Sequence, residues 1–172
     1  MLINVTIPVL NEEKQLKASI RRVHEHVAGN EAFDVEILIV DNGSRDSTVD
    51  VAGLMTKELN NVKLICIPQR GRGRALKRAW TESQADILSY MDVDLSTDLV
   101  AFWPMIEELA AGHFEIATGS RLQTASQVTR GPKREFISRC YNLIIKLMFR
   151  THFSDAQCGF KSVSENSEFH RN

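Results

Sequence analysis

The sequence predicts an α/β fold built on a mostly parallel sheet with helices on both faces. Apolar runs rich in β-branched residues alternate with amphipathic helical segments from residue 2 to residue 118. The runs are apolar throughout, which is typical of strands that are buried on both faces. With 172 residues, 43% of them hydrophobic, the chain has enough apolar material for one domain with a single core.

Each predicted element is identified by its period and by its boundary residues. Apolar residues three or four positions apart mark the helices, and Asp46 or Ser47 is a suitable cap for the second of them. The predicted strands are residues 2–10, 35–40, 62–67, 87–91 and 114–118. The predicted helices are residues 11–28, 46–59, 74–83, 98–111 and 133–150.

Composition limits the classes of partner and compartment. A net charge of −1 gives no overall indication of nucleic-acid or membrane binding. The three cysteines are widely spaced without a C-x-x-C pattern, which suits a reducing compartment. No apolar run approaches 18 residues and the first residues do not resemble a signal peptide, so we expect a cytoplasmic protein without a transmembrane span.

Polar clusters follow the strands, where ligands of parallel sheets bind. The most informative is Asp92-Val93-Asp94, directly after the predicted fourth strand. Since residues alternate sides along a strand, we expect both carboxylates to point the same way and Val93 to point into the protein. Two hard oxygen ligands suit Mg²⁺ or Mn²⁺, which complete their shells with water and substrate phosphates. The alternative is a pair of turn-forming or helix-capping acids.

A basic cluster follows the predicted third strand. Gly71 and Gly73 allow a backbone to approach a ligand closely, and the surrounding positive charges can neutralise a diphosphate. The alternatives are a solvated surface and contact with RNA. No aromatic side chains interleave with the basic ones, so we expect no nucleic-acid partner. The basic residues are Arg70, Arg72, Arg74, Lys77 and Arg78.

Five motifs follow one another in the sequence: Ile7-Pro8-Val9-Leu10-Asn11-Glu12, Asp41-Asn42-Gly43-Ser44-Arg45-Asp46-Ser47-Thr48, Gly71-Arg72-Gly73-Arg74-Ala75, Asp92-Val93-Asp94 and Gly119-Ser120-Arg121. In content and order they resemble family-2 glycosyltransferases. Residues 134–139 and 155–161 are similar to the branch that transfers hexose to dolichyl or another polyprenyl phosphate. The resemblance implies a GT-A fold that is truncated at its C-terminus, with a catalytic domain over residues 1–161 and a polar divergent tail over 162–172.

The resemblance also implies which residues bind the donor. In this family the loop after the first strand lines the nucleoside pocket, although a helix-capping role is the alternative for Glu12. Asn42 stands where a second Asp is common, which removes a negative charge beside Asp41. The implied metal ligands are Asp92 and Asp94. The implied nucleotide-sugar-binding residues are Pro8, Leu10, Asn11, Glu12, Asp41, Gly71, Arg72, Gly73, Asp92 and Val93.

The acceptor side is implied by the second half of the sequence. Arg134 and Ser138 lie one turn apart on the predicted helix, and with Arg121 they match positions that hold the acceptor phosphate in the family. Asp155 matches an acid near the reacting centre and is implied as catalytic together with Asp94. Since a phosphate acceptor is already anionic, Asp155 has little proton abstraction to perform and would orient the acceptor or the donor sugar.

The resemblance as a whole implies inverting transfer of a hexose from a nucleotide-diphosphate sugar to a polyprenyl phosphate, with Mg²⁺ or Mn²⁺ at the leaving diphosphate. UDP-glucose is the expected donor and GDP-mannose the second choice. A lipid acceptor implies peripheral contact with the cytoplasmic face of a membrane. Two alternatives stay open: a truncated nucleotide-sugar-binding domain with little or no turnover, and a nucleotidyltransferase or other phosphate-handling α/β enzyme.

Overall fold

The computed structural model describes residues 1–119 and 158–164. Within these ranges, no helix is long and apolar enough to cross a bilayer. The strands are β1 (Leu2–Val9), β2 (Asp34–Asp41), β3 (Val62–Cys66), β4 (Ile87–Met91), β5 (Ile116–Thr118) and β6 (Phe160–Ser164). The helices are α1 (Leu16–Ala28), α2 (Thr48–Glu58), α3 (Arg72–Glu82) and α4 (Phe102–Ala110), with a 3₁₀ turn at Leu99–Ala101.

The strands form one sheet in the order β3-β2-β1-β4-β6-β5. Strand β1 pairs in parallel with both β2 and β4, and β2 pairs in parallel with β3. Strand β6 is antiparallel to its neighbours β4 and β5. The predicted mostly parallel sheet is therefore confirmed, and the first four strands all end at one edge.

Helices cover both faces of this sheet, as the sequence predicts. Helices α1, α2 and α4 share one core with the strands, which includes the fully buried Ile20, Met55 and Phe102. Helix α3 packs on the opposite face through Ala75 and Ala79. Strand β2 contributes to both cores because its side chains alternate between the faces. Each large apolar side chain that is fully buried stabilises the fold by about 1.5–3 kcal/mol.

Helix α1 begins at Leu16, later than the predicted start at residue 11. Asn11 has a positive φ of 57°, which a right-handed helix does not accommodate. The N–H groups of Glu12 and Glu13 donate to side chains at the start of α2 and in the loop before it. These residues are therefore held by a neighbouring loop before the helix starts.

Strand β6 corrects the predicted tail, because residues 162–164 belong to the sheet. Ser162 is fully buried, and its hydroxyl lies 2.9 Å from the hydroxyl of Ser89 on β4. A buried hydroxyl that has a hydrogen-bond partner costs little, so a polar composition is compatible with a core strand. The other predicted elements in the described ranges are present with small boundary shifts of the kind expected at element ends.

Replacing Phe102 with alanine should lower the free energy of unfolding by about 3–5 kcal/mol. Phe102 is fully buried, and its ring contacts those of Trp103 and Phe160, so truncation leaves a cavity between α4 and β6. Urea unfolding followed by circular dichroism measures the change. Val100→Ala, at a side chain that is 71% exposed, is the control and should stay within about 0.5 kcal/mol of the parent. A similarly small effect of Phe102→Ala would contradict the packing described above.

Candidate active site

The loops that follow β1, β2 and β4 lie together because these strands are parallel neighbours. The chain runs from β1 to β2 and β3 on one side, and then continues with β4 on the other side of β1. Such a change of side leaves a crevice beyond the carboxyl ends of the two strands at the switch, where ligands bind. Here the two strands are β1 and β4, which lead into residues 8–12 and 92–94.

Strands β1 and β4 separate at Pro8. Their last registered pair is Thr6 with Tyr90. The carbonyl of Val9 accepts a hydrogen bond of 3.0 Å from the N–H of Asn42, so Val9 bonds towards β2 and Pro8 faces the β4 side. Proline has no N–H to donate. Because β1 and β4 have already separated here, no hydrogen bond between the strands is lost. The crevice therefore opens at Pro8.

Asn11 connects the loop after β1 to the loop after β2. Its left-handed backbone points its side chain and its N–H at the neighbouring loop. The Asn11 N–H donates to the Ser44 hydroxyl at 2.9 Å, and the Arg45 N–H donates to Asn11 Oδ1 at 2.8 Å. The family resemblance implies that Asn11 lines the nucleoside pocket, and this role stays a prediction. The structure shows that its side-chain oxygen links the two loops.

A second set of hydrogen bonds reinforces this link. The hydroxyl of the buried Thr48 accepts from the Glu12 N–H at 2.7 Å and donates to Asp46 Oδ1 at 2.5 Å. Asp46 Oδ2 accepts from the Glu13 N–H at 3.3 Å, while Glu13 accepts from the Ser47 N–H at 2.9 Å. The hydrogen bond from the Thr48 hydroxyl, more than any other cause, lowers the pKa of Asp46 below its ordinary value. Both loops are therefore ordered before any ligand arrives.

Asp41 and Asn42 are buried at the end of β2. The Asp41 carboxylate accepts from the N–H groups of Gly43 at 3.0 Å and Ser44 at 3.2 Å, and Gly43 has a φ of 81°. Asn42 donates through Nδ2 to the Val9 carbonyl at 3.3 Å. Its Oδ1 has no hydrogen-bond partner among the described residues. Asp41 thus shapes its own turn, and its predicted contact with the base or ribose stays a prediction.

Asp92 is part-buried and has one hydroxyl partner and one cationic partner. Its Oδ1 accepts from the Tyr90 hydroxyl and lies 3.2 Å from Nη2 of Arg72. The Arg72 guanidinium also lies over the Tyr90 ring, 5.9 Å from its centre. Burial raises the pKa of Tyr90 above its ordinary value, and the hydrogen bond to Asp92 raises it further. Tyr90 therefore stays protonated and donates to the carboxylate.

Gly159 is a site residue that sequence reasoning missed, because its role depends on contact with Asp92. The Asp92 N–H donates to the Gly159 carbonyl at 3.0 Å, which attaches the loop after β4 to the start of β6. A Cβ at Gly159 would lie 1.7 Å from Asp92 Oδ2. Only glycine leaves room for the observed position of this carboxylate.

Asp94 differs from Asp92 in being exposed, with Oδ1 accepting from the Ser96 N–H at 3.0 Å. Strand β4 ends at Met91, so both carboxylates lie on a turn, and the alternation along a strand assumed from the sequence does not apply. Val93 is nevertheless buried, as predicted. The turn is completed by Leu95, which has a φ of 47°.

The predicted basic loop becomes the start of α3. Gly71 is the N-cap with a φ of 141°, and Arg72 is the first helical residue. The first turn of α3, which the structure describes in full, contains no acidic residue and has no cap from a side chain. Arginines at the positive end of a helix dipole are unfavourable unless an anion is nearby. Asp92 supplies one such anion.

The remaining predicted site residues lie outside the described ranges. These are the acceptor-phosphate residues Arg121, Arg134 and Ser138, the catalytic candidate Asp155, and the helix predicted over residues 133–150.

Acid should weaken the connection between the two loops through Asp46. A carboxylate whose folded pKa is lowered stabilises the fold above its unfolded pKa, close to 3.8, and this contribution is lost as the pH falls through the folded pKa. The difference in free energy of unfolding between the parent and Asp46→Asn should therefore be constant at neutral pH and shrink below pH 3.8. Urea unfolding at a series of pH values measures it. Parallel profiles for the two proteins would contradict the assignment.

Sequence comparison identifies relatives of this protein. The model of the family described as Glycosyl transferase family 2 matches residues 4–168. Glycosyltransferase AglD of Haloferax volcanii is 31% identical over 167 residues, which cover 96% of this chain and 27% of AglD. Dolichyl-phosphate beta-glucosyltransferase ALG5A of Trichomonas vaginalis is 28% identical over 174 residues, covering 96% of this chain and 54% of the relative. The chain spans about half the length of ALG5A and less of AglD.

Structural comparison identifies solved proteins with the same fold. Glucosyl-3-phosphoglycerate synthase of Mycobacterium tuberculosis, solved with Mn²⁺, UDP-glucose and phosphoglyceric acid, superimposes with a TM-score of 0.66 at 20% identity. The match covers 94% of this chain and 56% of the synthase. At this level of identity the likeness establishes the GT-A type of fold. Since the family model matches nearly the whole length, the chain belongs to glycosyl transferase family 2.

Proposed function

We propose that this protein transfers a hexose from a nucleotide-diphosphate sugar to a polyprenyl phosphate, with inversion at the anomeric carbon. The observation that carries the proposal is the placement of Asp92, Asp94 and Arg72 at the switch between β1 and β4. Two carboxylates suit a divalent cation, and a guanidinium suits a diphosphate. UDP-glucose is the first choice of donor because ALG5A is named a dolichyl-phosphate glucosyltransferase. GDP-mannose is the second.

Mg²⁺ or Mn²⁺ fits the donor set of Asp92 and Asp94. Within the described ranges, no group of three or more His, Cys, Asp or Glu side chains gathers to hold a metal ion. Cations bound with nucleotides commonly take one or two carboxylates and fill their remaining positions with phosphate oxygens and water. When bound, such a cation offsets the negative charge that develops on the leaving diphosphate. The structural relative that binds Mn²⁺ with UDP-glucose supports this choice.

The two carboxylates have different parts in the proposal. Asp94 is exposed and is the direct ligand to the cation, while Asp92 is fixed by Tyr90 and Gly159 before the donor arrives. A preorganised carboxylate needs little rearrangement when charge develops beside it. The Gly71-Arg72-Gly73 segment binds the diphosphate, Val93 packs beneath the turn, and Pro8, Leu10 and Asp41 line the nucleoside pocket. Asn11 and Glu12 shape that pocket through the neighbouring loop.

The acceptor side of the proposal rests on the family resemblance. Arg121, Arg134 and Ser138 would bind the acceptor phosphate, and Asp155 would orient the acceptor or the donor sugar. The phosphate oxygen would attack the anomeric carbon from the face opposite the leaving diphosphate and form the new bond as the old one breaks. A polyprenyl acceptor implies that the protein works at a membrane surface, and we propose the cytoplasmic face.

Calorimetric titration with UDP-glucose and GDP-mannose, in Mn²⁺ and then with a chelator, tests the donor side. Incubation with a short polyprenyl phosphate then tests transfer. We expect metal-dependent binding of UDP-glucose and a β-linked lipid phosphate sugar. Binding without product would identify a nucleotide-sugar-binding domain with little turnover. Failure to bind either nucleotide, or an α-linked product, would contradict the proposed activity.

Asp94→Asn should weaken Mn²⁺-dependent binding of UDP-glucose by at least about tenfold, because a neutral amide replaces the carboxylate that binds the cation. Asp34→Asn at the exposed start of β2 is the control, since it removes the same charge at the end of the strand opposite the crevice. Calorimetry of the three proteins gives the comparison. Full Mn²⁺-dependent binding by Asp94→Asn would remove this residue from the site.

Gly159→Ala should fold but lose most Mn²⁺-dependent donor binding. The new methyl group would meet the Asp92 side chain, which can turn away without moving the backbone. The carboxylate then leaves the position shared with Tyr90 and Arg72. Gly53→Ala, where nothing lies within 4 Å of the added Cβ, is the matched control and should bind normally. Normal binding by Gly159→Ala would show that the position of Asp92 does not matter.

A further inference from the structure

We propose that Arg72 is a resident counter-ion of Asp92, which a divalent cation displaces and which then binds the donor diphosphate. The inference rests on the proposed function and adds an order of events to it. Arg72 would exchange one anionic partner for another. It would therefore weaken the binding of a cation to the free protein and strengthen the binding of the nucleotide.

The side chains of Arg72 and Asp92 are in close contact but differ in their exposure to solvent. Arg72 Nη2 lies 3.2 Å from Asp92 Oδ1, and the side chains are 64% and 20% exposed, respectively. Tyr90 donates to the same oxygen, and Gly159 closes the space beside Oδ2. Asp92 is therefore held on two sides, whereas Arg72 is bound at its tip. Of the two partners, Arg72 is the one that can leave.

A divalent cation and the Arg72 guanidinium compete for this carboxylate. Oδ1 already accepts from two donors and Oδ2 faces Gly159, so the observed arrangement leaves little of Asp92 open to a metal ion. A divalent cation bound to Asp92 would lie beside the Arg72 guanidinium. The two positive groups would repel each other, and more strongly than two single charges would. The cation must displace Arg72 from Asp92 or bind less tightly beside it.

The start of α3 provides the destination for the released side chain. Arg72 and Arg74 occupy its first turn, and the side chains around the N-cap Gly71 make no capping hydrogen bond. Positive side chains are disfavoured at this end of a helix, while an anion is favoured. A diphosphate held by the cation at Asp92 and Asp94 would lie next to the guanidinium that had just been displaced. Arg72 would then make charge-assisted hydrogen bonds to phosphate oxygens.

The test uses the 172-residue chain and its Arg72→Gln variant in two titrations. In the first, Mn²⁺ alone is titrated and followed by its electron paramagnetic resonance signal. The variant should bind Mn²⁺ about two- to fivefold more tightly, since exposed ion pairs are worth up to about 1 kcal/mol. In the second, UDP is titrated at saturating Mn²⁺ by calorimetry. There the variant should bind about tenfold more weakly, because a charged hydrogen bond to the diphosphate is lost.

Arg74→Gln controls for the loss of charge, since it lies in the same turn of α3. It should shift the affinity for Mn²⁺ alone less than Arg72→Gln does. Unchanged or weaker binding of Mn²⁺ by Arg72→Gln, or an equal shift in Arg74→Gln, would overturn the displacement. Unchanged UDP binding by Arg72→Gln would overturn the transfer to the diphosphate. If the parent protein binds UDP without Mn²⁺, or binds neither UDP nor Mn²⁺, the proposed function fails as well.

Discussion

Parallel pairing of β1 with β2 on one side and β4 on the other is the constraint on which the site depends. It places Val9 opposite Asp41 and Thr6 opposite Tyr90, so the loops after the three strands start at the same edge. The first two loops then hydrogen-bond to each other, and the third lies across the crevice from them. A slip of one residue would turn the buried side chains of a strand to the other face, so the cores fix the register and thereby the site.

Around Asp92, the structure combines a fixed carboxylate with movable or exposed partners. Tyr90 and Gly159 determine where the carboxylate lies, and both act through contacts that are present without a ligand. Asp94 and Arg72 are exposed, and in the proposed reaction they change partners when a cation and a diphosphate arrive. Fixed groups reduce the rearrangement needed during a reaction, while exposed groups admit the ligand. This division suits a site that must bind a substrate, shield its charge and release a diphosphate.

The order of elements, the parallel sheet and the position of the Asp92 turn follow from the sequence because hydrophobic periodicity and strand ends are local signals. Three features depend on contacts between distant residues and could not be predicted in this way. Ser162 looks like part of a polar tail until Ser89 provides its buried partner. The link from Asn11 to the neighbouring loop becomes visible only in the structure, where the Arg45 N–H donates to the Asn11 side-chain oxygen. Gly159 acquires its role only from the closeness of Asp92.

A crystal structure of the 172-residue chain with UDP and Mn²⁺, with the metal located by its anomalous signal, tests the proposed site most directly. We expect one Mn²⁺ between the carboxylate of Asp94 and the diphosphate. The uridine should occupy the crevice between β1 and β4, and Arg72 should contact the diphosphate. Mn²⁺ bound away from Asp92 and Asp94, or UDP bound away from the switch between β1 and β4, would contradict the proposal.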